Sequence, residues 1–137
     1  MNLLTRDTDY AVRALIYLVK TGKRVSTSDM EKELLLPRPF LRRILQTLQK
    51  NAFLVSVKGH EGGFELLKKP EDIRVLDLME IFQDKFELCE CLFRKRICPE
   101  RQGCALRKKI KNIEGKIKQE FHSLTLLSLL ESSTEKP

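Results

Sequence analysis

The chain has 137 residues, of which 42% are apolar and none is Trp, so it is long enough for one compact domain with a mainly aliphatic core. Its formal net charge of +7 favours a polyanionic partner, with nucleic acid ahead of a membrane surface. Charged residues occur too early for a signal peptide, and no apolar run reaches the length of a membrane span, so we expect a cytoplasmic protein without a membrane partner.

Two helices are predicted in the first part of the chain. Thr5 is a suitable N-cap for the first helix, whose apolar residues recur at helical spacing as far as Leu18, and Gly22 ends it. Ser26 and Asp29 resemble a capping box, which predicts that a second helix begins here and extends to about residue 34.

A third helix and a β-hairpin follow a break that contains two prolines. Pro39 suits the first position of a helix that runs to about Lys50, and Asn51 suits a left-handed cap at its end. Residues 53–57 and 64–67 are predicted strands, joined by a glycine-rich turn at residues 58–63. This order of elements is typical of a winged helix-turn-helix, whose third helix enters the major groove of DNA. We place this domain at residues 1–84.

Basic residues dominate the third helix and the hairpin turn. From Leu34 to His60 the sequence contains five basic residues and no acidic one, so a face carrying them would attract phosphates strongly. A solubilising helix face usually mixes both signs of charge, which favours DNA contact here. Hydroxyl groups at the start of the second helix can also donate to phosphates, although their capping role explains them too. The predicted DNA-binding residues are Thr27, Ser28, Arg38, Arg42, Arg43, Lys58 and His60.

All four cysteines lie in the next segment, residues 85–104, which we call the cysteine segment. Thiolates gathered in a short stretch of chain bind soft metals well. Cys91, Cys98 and Cys104 are separated by six and five residues, a wider spacing than in the CxxC knuckles of zinc sites, and an iron–sulfur cluster suits such a looser loop. Cys89 is a candidate fourth ligand, although its ligation beside Cys91 requires a tight local turn. A zinc site, a disulfide switch and small apolar core residues are the alternatives.

Residues 105–131 are predicted to form one long helix. Its apolar residues recur at intervals of three and four, and a single stripe on a helix longer than its domain needs a partner. The stripe consists of Leu106, Ile110, Ile113, Ile117, Phe121, Leu124 and Leu127. A two-fold homodimer satisfies this need and matches the way helix-turn-helix proteins bind paired half-sites. The predicted fold is therefore mainly α with a small β-hairpin wing, a long C-terminal dimerisation helix, and a frayed polar tail at residues 132–137.

These stretches together resemble the Rrf-two family of bacterial transcription regulators, which includes the iron–sulfur cluster assembly regulator and the nitric-oxide-sensitive repressor. The likeness is carried by residues 8–15, 40–48 and 58–64, where Lys58 stands in place of a more frequent Arg. Cys91, Cys98 and Cys104 fall where cluster-binding members place three ligands. The resemblance implies a homodimer whose affinity for a double-stranded DNA operator changes with the state of a bound two-iron or four-iron cluster.

The fourth ligand departs from the pattern of part of the family. Some members have a His three residues after the third Cys, where this chain has Arg107, so a His-completed site is excluded. In other relatives that this chain resembles, a carboxylate from the first helix of the second subunit completes the site. Asp9 stands at that position and is favoured over Cys89. An acid in the first turn of a helix also stabilises the helix without any metal.

Two other functions are compatible with this sequence. A regulator of the same fold can sense through cysteine thiols or a small molecule and hold no cluster. A redox or electron-transfer protein can use the same cysteine segment, but the chain has no nucleotide-binding loop, cofactor fingerprint or nucleophile–base constellation. We therefore expect a DNA-binding regulator and not an enzyme.

Overall fold

The computed structural model describes residues 3–83, 86–88 and 103–134. Within these ranges the chain forms helices α1 (Arg6–Thr21), α2 (Thr27–Leu34), α3 (Arg38–Lys50), α4 (Val75–Phe82), α5 (Ala105–Ser123) and α6 (Leu126–Thr134), strands β1 (Leu54–Val57) and β2 (Gly63–Leu66), and a 3₁₀ helix (Pro70–Asp72). The prediction of a mainly helical fold with a small β-hairpin is confirmed. In the described part of the chain, no helix is both long enough and apolar enough to cross a membrane.

The ends of α1 and α2 follow from their local sequences. Thr5 Oγ1 accepts a hydrogen bond from the Thr8 N–H at 3.4 Å, and Gly22 ends α1 in the left-handed conformation with φ 65°. Ser26 Oγ accepts from the Asp29 N–H at 3.2 Å, which is the N-cap bond expected of a capping box. The predicted starts of both helices are confirmed.

The two ends of α3 differ from their predictions. The helix begins at Arg38, so Pro39 occupies its second position and not its first. Asn51 has a φ of −94° and is not left-handed, because its side-chain amide donates to the Thr47 carbonyl at 2.8 Å and keeps the residue close to the last turn. Ala52, with a φ of 61°, makes the left-handed turn instead.

An aliphatic core lies between α1, α2, α3, the hairpin, α4 and α6. The apolar faces of α1 and α3 supply most of its fully buried side chains, and Phe53 is its one fully buried aromatic residue within the described ranges. These faces have the helical spacing that the sequence shows, since every third or fourth residue points to the same side. The buried members from α1 and α3 are Ala11, Ala14, Leu15, Leu18, Leu41, Ile44, Leu45 and Leu48.

The hairpin formed by β1, β2 and the turn between them is the wing of this fold. Its strands are antiparallel and begin and end within a residue or so of the predicted positions. Val25 extends the sheet, because it exchanges backbone hydrogen bonds of 3.1 and 2.9 Å with Phe64. A Cβ on Gly63 would lie 2.3 Å from the Val25 carbonyl oxygen, so this close approach requires glycine. The wing is therefore held against the start of α2.

The prediction of one helix over residues 105–131 was wrong. Helix α5 ends at Ser123, and Leu124 has the extended backbone angles φ −78° and ψ 110°. The helical hydrogen bonds are replaced by bonds to another part of the chain: the Val75 N–H donates to the Leu124 carbonyl at 2.9 Å, and the Leu126 N–H donates to the Ile73 carbonyl at 3.0 Å. Residues 124–126 are thus tied to the start of α4.

Helix α6 turns back onto the core. Its first turn is capped by Thr125, whose Oγ1 accepts from the Ser128 N–H at 3.1 Å. Leu126 is completely buried, whereas Leu127, which the predicted stripe includes, is 39% exposed. The helix continues to Thr134, so residues 132–134 of the predicted frayed tail are helical.

Candidate DNA-binding face and cysteine segment

The exposed side of α3, the start of α2 and the wing enclose a cleft of about 210 Å³. Its lining residues are Thr27, Arg42, Gln46, Gln49, Ser56 and Phe64. Gln49 Nε2 donates to Ser56 Oγ at 2.9 Å, which fixes the end of α3 to strand β1. Arginine and glutamine side chains are among those that read base edges by hydrogen bonds. The cleft therefore lies between an exposed helix face and a wing, the two elements with which winged helices contact DNA.

Arg42 is the basic residue of this cleft. It is exposed, and among the residues that the structure describes it has no carboxylate partner within ion-pair distance. Its guanidinium carries five N–H donors, which can bind a guanine edge or a phosphate in a bidentate manner. An uncompensated guanidinium beside polar residues of α2 and the wing is the feature of this face best suited to DNA.

Arg43 and Arg38, which the sequence groups with Arg42, are both paired within the chain. Arg43 Nη2 donates to the two carboxylate oxygens of Asp7 at 3.0 and 2.9 Å, and its guanidinium lies 5.2 Å from the centre of the Phe40 ring. Arg38 Nε lies 3.8 Å from a Glu31 carboxylate oxygen. Arg43 thus fastens α3 to the start of α1, a long-range contact that no local sequence pattern indicates.

The remaining predicted DNA contacts are spread over α2 and the wing. Thr27 is half-buried and lines the cleft with Arg42, whereas Ser28, Lys58 and His60 are exposed and do not line it. The structure therefore brings Thr27 and Arg42 together and leaves the other three residues on the surrounding surface.

Arg24 is a further residue that supports the wing. Its Nε is 2.8 Å from a Glu65 carboxylate oxygen on β2, and its Nη1 donates to the Glu61 carbonyl at 3.4 Å. Sequence reasoning missed this role, because nothing in the spacing of residues 24, 61 and 65 connects them.

Replacement of Lys58 by Ala should flatten the salt dependence of DNA binding. If Lys58 neutralises one phosphate, the slope of log K against log salt should decrease in magnitude by about 1, with the preference for operator over random DNA unchanged. The measurement is a series of titrations between low and moderate salt. Lys20→Ala, at an exposed position of α1, is the matched control and should keep the wild-type slope. Equal slopes for Lys58→Ala and the wild type would exclude this contact.

Of the predicted cluster ligands in the cysteine segment, only Cys104 lies within the described residues; Cys89, Cys91 and Cys98 lie outside them. Cys104 is the N-cap of α5, is partly exposed, is not in a disulfide and makes no side-chain capping hydrogen bond. Within the described ranges its sulfur therefore has no capping or disulfide role that would compete with metal ligation, and a thiolate is the donor that iron–sulfur clusters use. The described ranges contain no cluster of three metal-ligating side chains.

Asp9, the predicted fourth ligand, lies in the first turn of α1. Its Oδ2 is 3.0 Å from Arg13 Nε one turn later, and its side chain is 47% exposed. This ion pair accounts for the position of Asp9 without a metal. The carboxylate is nevertheless accessible to a second molecule.

The end of α4 is joined to the start of α1 by Gln83. Gln83 Oε1 accepts hydrogen bonds from Thr8 Oγ1 at 2.9 Å and from the Thr5 N–H at 3.1 Å. Its Nε2 donates to the Leu3 carbonyl at 3.1 Å. Thr8 is fully buried, so its hydroxyl needs hydrogen-bond partners, and it has two: Gln83 Oε1 and, at 3.1 Å, Thr5 Oγ1. Sequence reasoning missed this contact as well, since the partners are 75 residues or more apart.

The winged helix and its basic recognition face define the class of transcriptional regulators that bind DNA. A family model described as an iron-dependent transcriptional regulator, Rrf2, matches residues 4–132. The chain therefore belongs to the Rrf-two (Rrf2) family, and the predicted resemblance is confirmed.

Two relatives agree with this assignment. The chain is 33% identical over 124 residues to a protein of Aquifex aeolicus that is described as an HTH-type transcriptional regulator. The match covers 88% of this chain and 86% of the relative. It is 30% identical to the HTH-type transcriptional regulator NsrR of Shouchella clausii, over 76% of this chain and 72% of the relative. Both relatives are described as transcriptional regulators and not as enzymes. The prediction that this chain is a regulator and not an enzyme is therefore confirmed.

Two solved structures share the fold. IscR of T. potens matches with a TM-score of 0.74 and 20% identity over 95% of this chain and 87% of that one. CymR, the global cysteine regulator of B. subtilis, matches with a TM-score of 0.76 and 20% identity over 99% of this chain and 100% of that one. At this identity the likeness confirms the winged-helix fold alone.

Proposed function

We propose that this chain is a homodimeric, cytoplasmic regulator that binds a double-stranded DNA operator and changes its affinity with the state of an iron–sulfur cluster. The observation that carries the proposal is the exposed Arg42 in the cleft between α3 and the wing, which has no carboxylate partner in the part of the chain that the structure describes. The description of the family as iron-dependent and the gathering of all four cysteines in one segment support the cluster.

The homodimer is supported by exposed apolar residues on α5. Leu106 is 67% exposed and Ile113 is 51% exposed. They are seven residues apart and so lie on the same side of the helix, two turns from each other. A second copy of α5 would cover this side and would present two α3 helices to two half-sites of the operator.

The proposed ligands are Cys91, Cys98 and Cys104, with Asp9 of a second copy or Cys89 as the fourth. A bound cluster would supply a centre whose ligands change on reaction with an oxidant or nitric oxide. The chain's own residues then connect this centre to DNA. Binding of the cluster by Asp9 would compete with the ion pair between Asp9 and Arg13. Asp9 lies two residues from Asp7 in the first turn of α1. Asp7 holds Arg43 on α3, so movement at the start of α1 would reach the recognition helix.

A second candidate function keeps DNA binding but senses through cysteine thiols or a small molecule. The partly exposed Cys104 thiol, which is not in a disulfide, and the fold shared with a global cysteine regulator favour it. The iron content of the protein distinguishes the two candidates, because a thiol sensor needs none.

The test is the visible absorption spectrum and the iron and sulfide content of protein purified without oxygen. We expect visible bands with matched iron and sulfide, which Cys98→Ala should abolish because it removes one thiolate ligand. Asp9→Ala should change the spectrum or speed the loss of the bands in air. Asp7→Ala removes the other acid of the same helix turn as a matched control and should leave the bands unchanged.

Two results would contradict the proposal. A colourless protein that binds DNA and cannot be reconstituted with iron and sulfide would favour the thiol or small-molecule sensor. A cluster-containing protein that binds no DNA at low salt would instead favour the redox carrier.

A further inference from the structure

Helix α5 carries a buried carboxylate, Glu114, whose side chain is only 6% exposed. Its Oε1 lies 3.5 Å from Lys111 Nζ and 3.4 Å from Lys118 Nζ. Its Oε2 accepts a hydrogen bond from the backbone N–H of Leu88 at 3.1 Å. Glutamate is rarely buried to this extent unless it is paired, and here both oxygens have partners.

The two lysines alone do not explain why Glu114 is buried. Ion pairs between residues three and four apart form readily on exposed helix faces and stabilise them by only a few tenths of a kcal/mol. The bond to Leu88 is different, because it joins α5 to the backbone of another segment. It is also the largest of the effects that hold the pKa of Glu114 below its ordinary value; burial opposes it, and the two lysines add to it.

A second contact fixes the same segment to α5. The rings of Phe86 and Phe121 pack edge to face, with centroids 6.4 Å apart and planes at 73°. Phe121 and Glu114 are seven residues apart, which is about 10 Å along the helix axis. The backbone from residue 86 to residue 88 therefore runs along α5 towards its N-terminus, where Cys104 is the N-cap.

The residues of this segment that contact α5, Phe86 and Leu88, lie next to the cysteines in the sequence. Leu88 directly precedes Cys89, and Gln83, five residues earlier, is bonded to the start of α1. Residues 83 and 86–88 thus link α1 to α5, and the bond from Leu88 to Glu114 is the one of these contacts nearest in sequence to Cys89.

We infer that Glu114 is a positioning residue: it fixes the backbone immediately before Cys89 on α5 and thereby controls how readily the cysteine segment releases bound iron or exposes its thiols. The effect on iron rests on the proposed function, whereas the contact with Leu88 does not. Loss of the carboxylate would leave the partly buried N–H of Leu88 without its acceptor, and residues 86–88 would then separate from α5 more readily.

Hydrogen exchange of the Leu88 amide tests the positioning directly. In the full-length Glu114→Ala variant this amide should exchange roughly 10-fold faster or more, because a hydrogen bond to a charged group is lost. Glu114→Gln keeps an oxygen that can accept the N–H, so its effect should be smaller. Glu120→Ala, at an exposed position of the same helix, is the matched control and should leave the rate unchanged. Wild-type exchange at Leu88 in Glu114→Ala would overturn the inference.

A second measurement tests the control of the cysteines. Protein purified without oxygen is mixed with a ferrous iron chelator, and iron should leave Glu114→Ala several-fold faster than wild type, with Glu114→Gln between them. If the wild-type protein holds no iron, the cluster part of the proposed function fails. The rate at which iodoacetamide alkylates Cys89 is then measured in place of the rate of iron loss. It should again be fastest in Glu114→Ala. Glu114→Ala could speed exchange at Leu88 and yet leave the rate of iron loss unchanged, or, in an iron-free protein, the rate of alkylation. Either result would overturn the inference that Glu114 controls the cysteines.

Discussion

Replacement of Arg42 by Ala should reduce the preference for operator over random DNA by about 1 to 3 kcal/mol, or roughly 5- to 150-fold. Arg42 is the exposed guanidinium of the cleft between α3 and the wing, and none of the described residues forms an ion pair with it, so its donors can reach a base edge without breaking one. The measurement is a pair of titrations at one salt concentration, with a duplex selected by the wild-type protein and a random duplex of equal length.

Arg43→Ala is the matched control for this experiment. Arg43 is bonded to both oxygens of Asp7, so its removal should cost up to about 1 kcal/mol of unfolding free energy and should change DNA discrimination less than Arg42→Ala does. An equal loss on both duplexes for Arg42→Ala would make Arg42 a phosphate contact. A larger loss of discrimination for Arg43→Ala would show that the ion pair with Asp7 opens on DNA.

The difference between Arg42 and Arg43 could not be predicted from the sequence. Both are basic neighbours in one helix, and charge counting treats them alike. The acid that pairs with Arg43 is 36 residues away, so only the packing of α1 against α3 separates the two roles. By contrast, helices α1 to α3 and the wing were predictable to within a residue or two at their ends, because glycine, proline, capping residues and apolar spacing act over a few residues of chain.

Long-range contacts in the region next to the cysteines could not be predicted from the sequence either. Thiolate chemistry can be inferred from residue type and clustering, which made the cysteine segment a candidate site. Glu114, however, lies in a lysine-rich stretch where an acid usually sits on a solvated face. Its burial depends on the backbone of Leu88, 26 residues earlier, and no periodic pattern encodes that contact.

The break between α5 and α6 shows how a correct periodicity can give a wrong helix. Leu124 and Leu127 continue the three-and-four spacing of the stripe across the break. The local signal for the break is Thr125 with Ser128 three residues later, a weak capping pattern that becomes decisive only because residues 124–126 bond to the start of α4.

Replacement of Leu126 by Ala should lower the free energy of unfolding by about 2 to 5 kcal/mol. Leu126 is completely buried in the core, although it lies outside the apolar stripe that the sequence shows. Its truncation leaves a cavity beneath α6, and the surrounding helices cannot fully close it. Urea unfolding at a fixed protein concentration measures the effect.

Leu127→Ala is the matched control, because it removes the same atoms from a neighbouring position that is 39% exposed. It should cost well under half as much as Leu126→Ala, since less apolar area is withdrawn from water at this position. The opposite order would mean that the stripe continues through residue 127 into a dimer contact. In that case the unfolding midpoint of Leu127→Ala would also depend more steeply on protein concentration than the midpoint of Leu126→Ala does. A core defect at Leu126 lowers the stability within each subunit at every protein concentration.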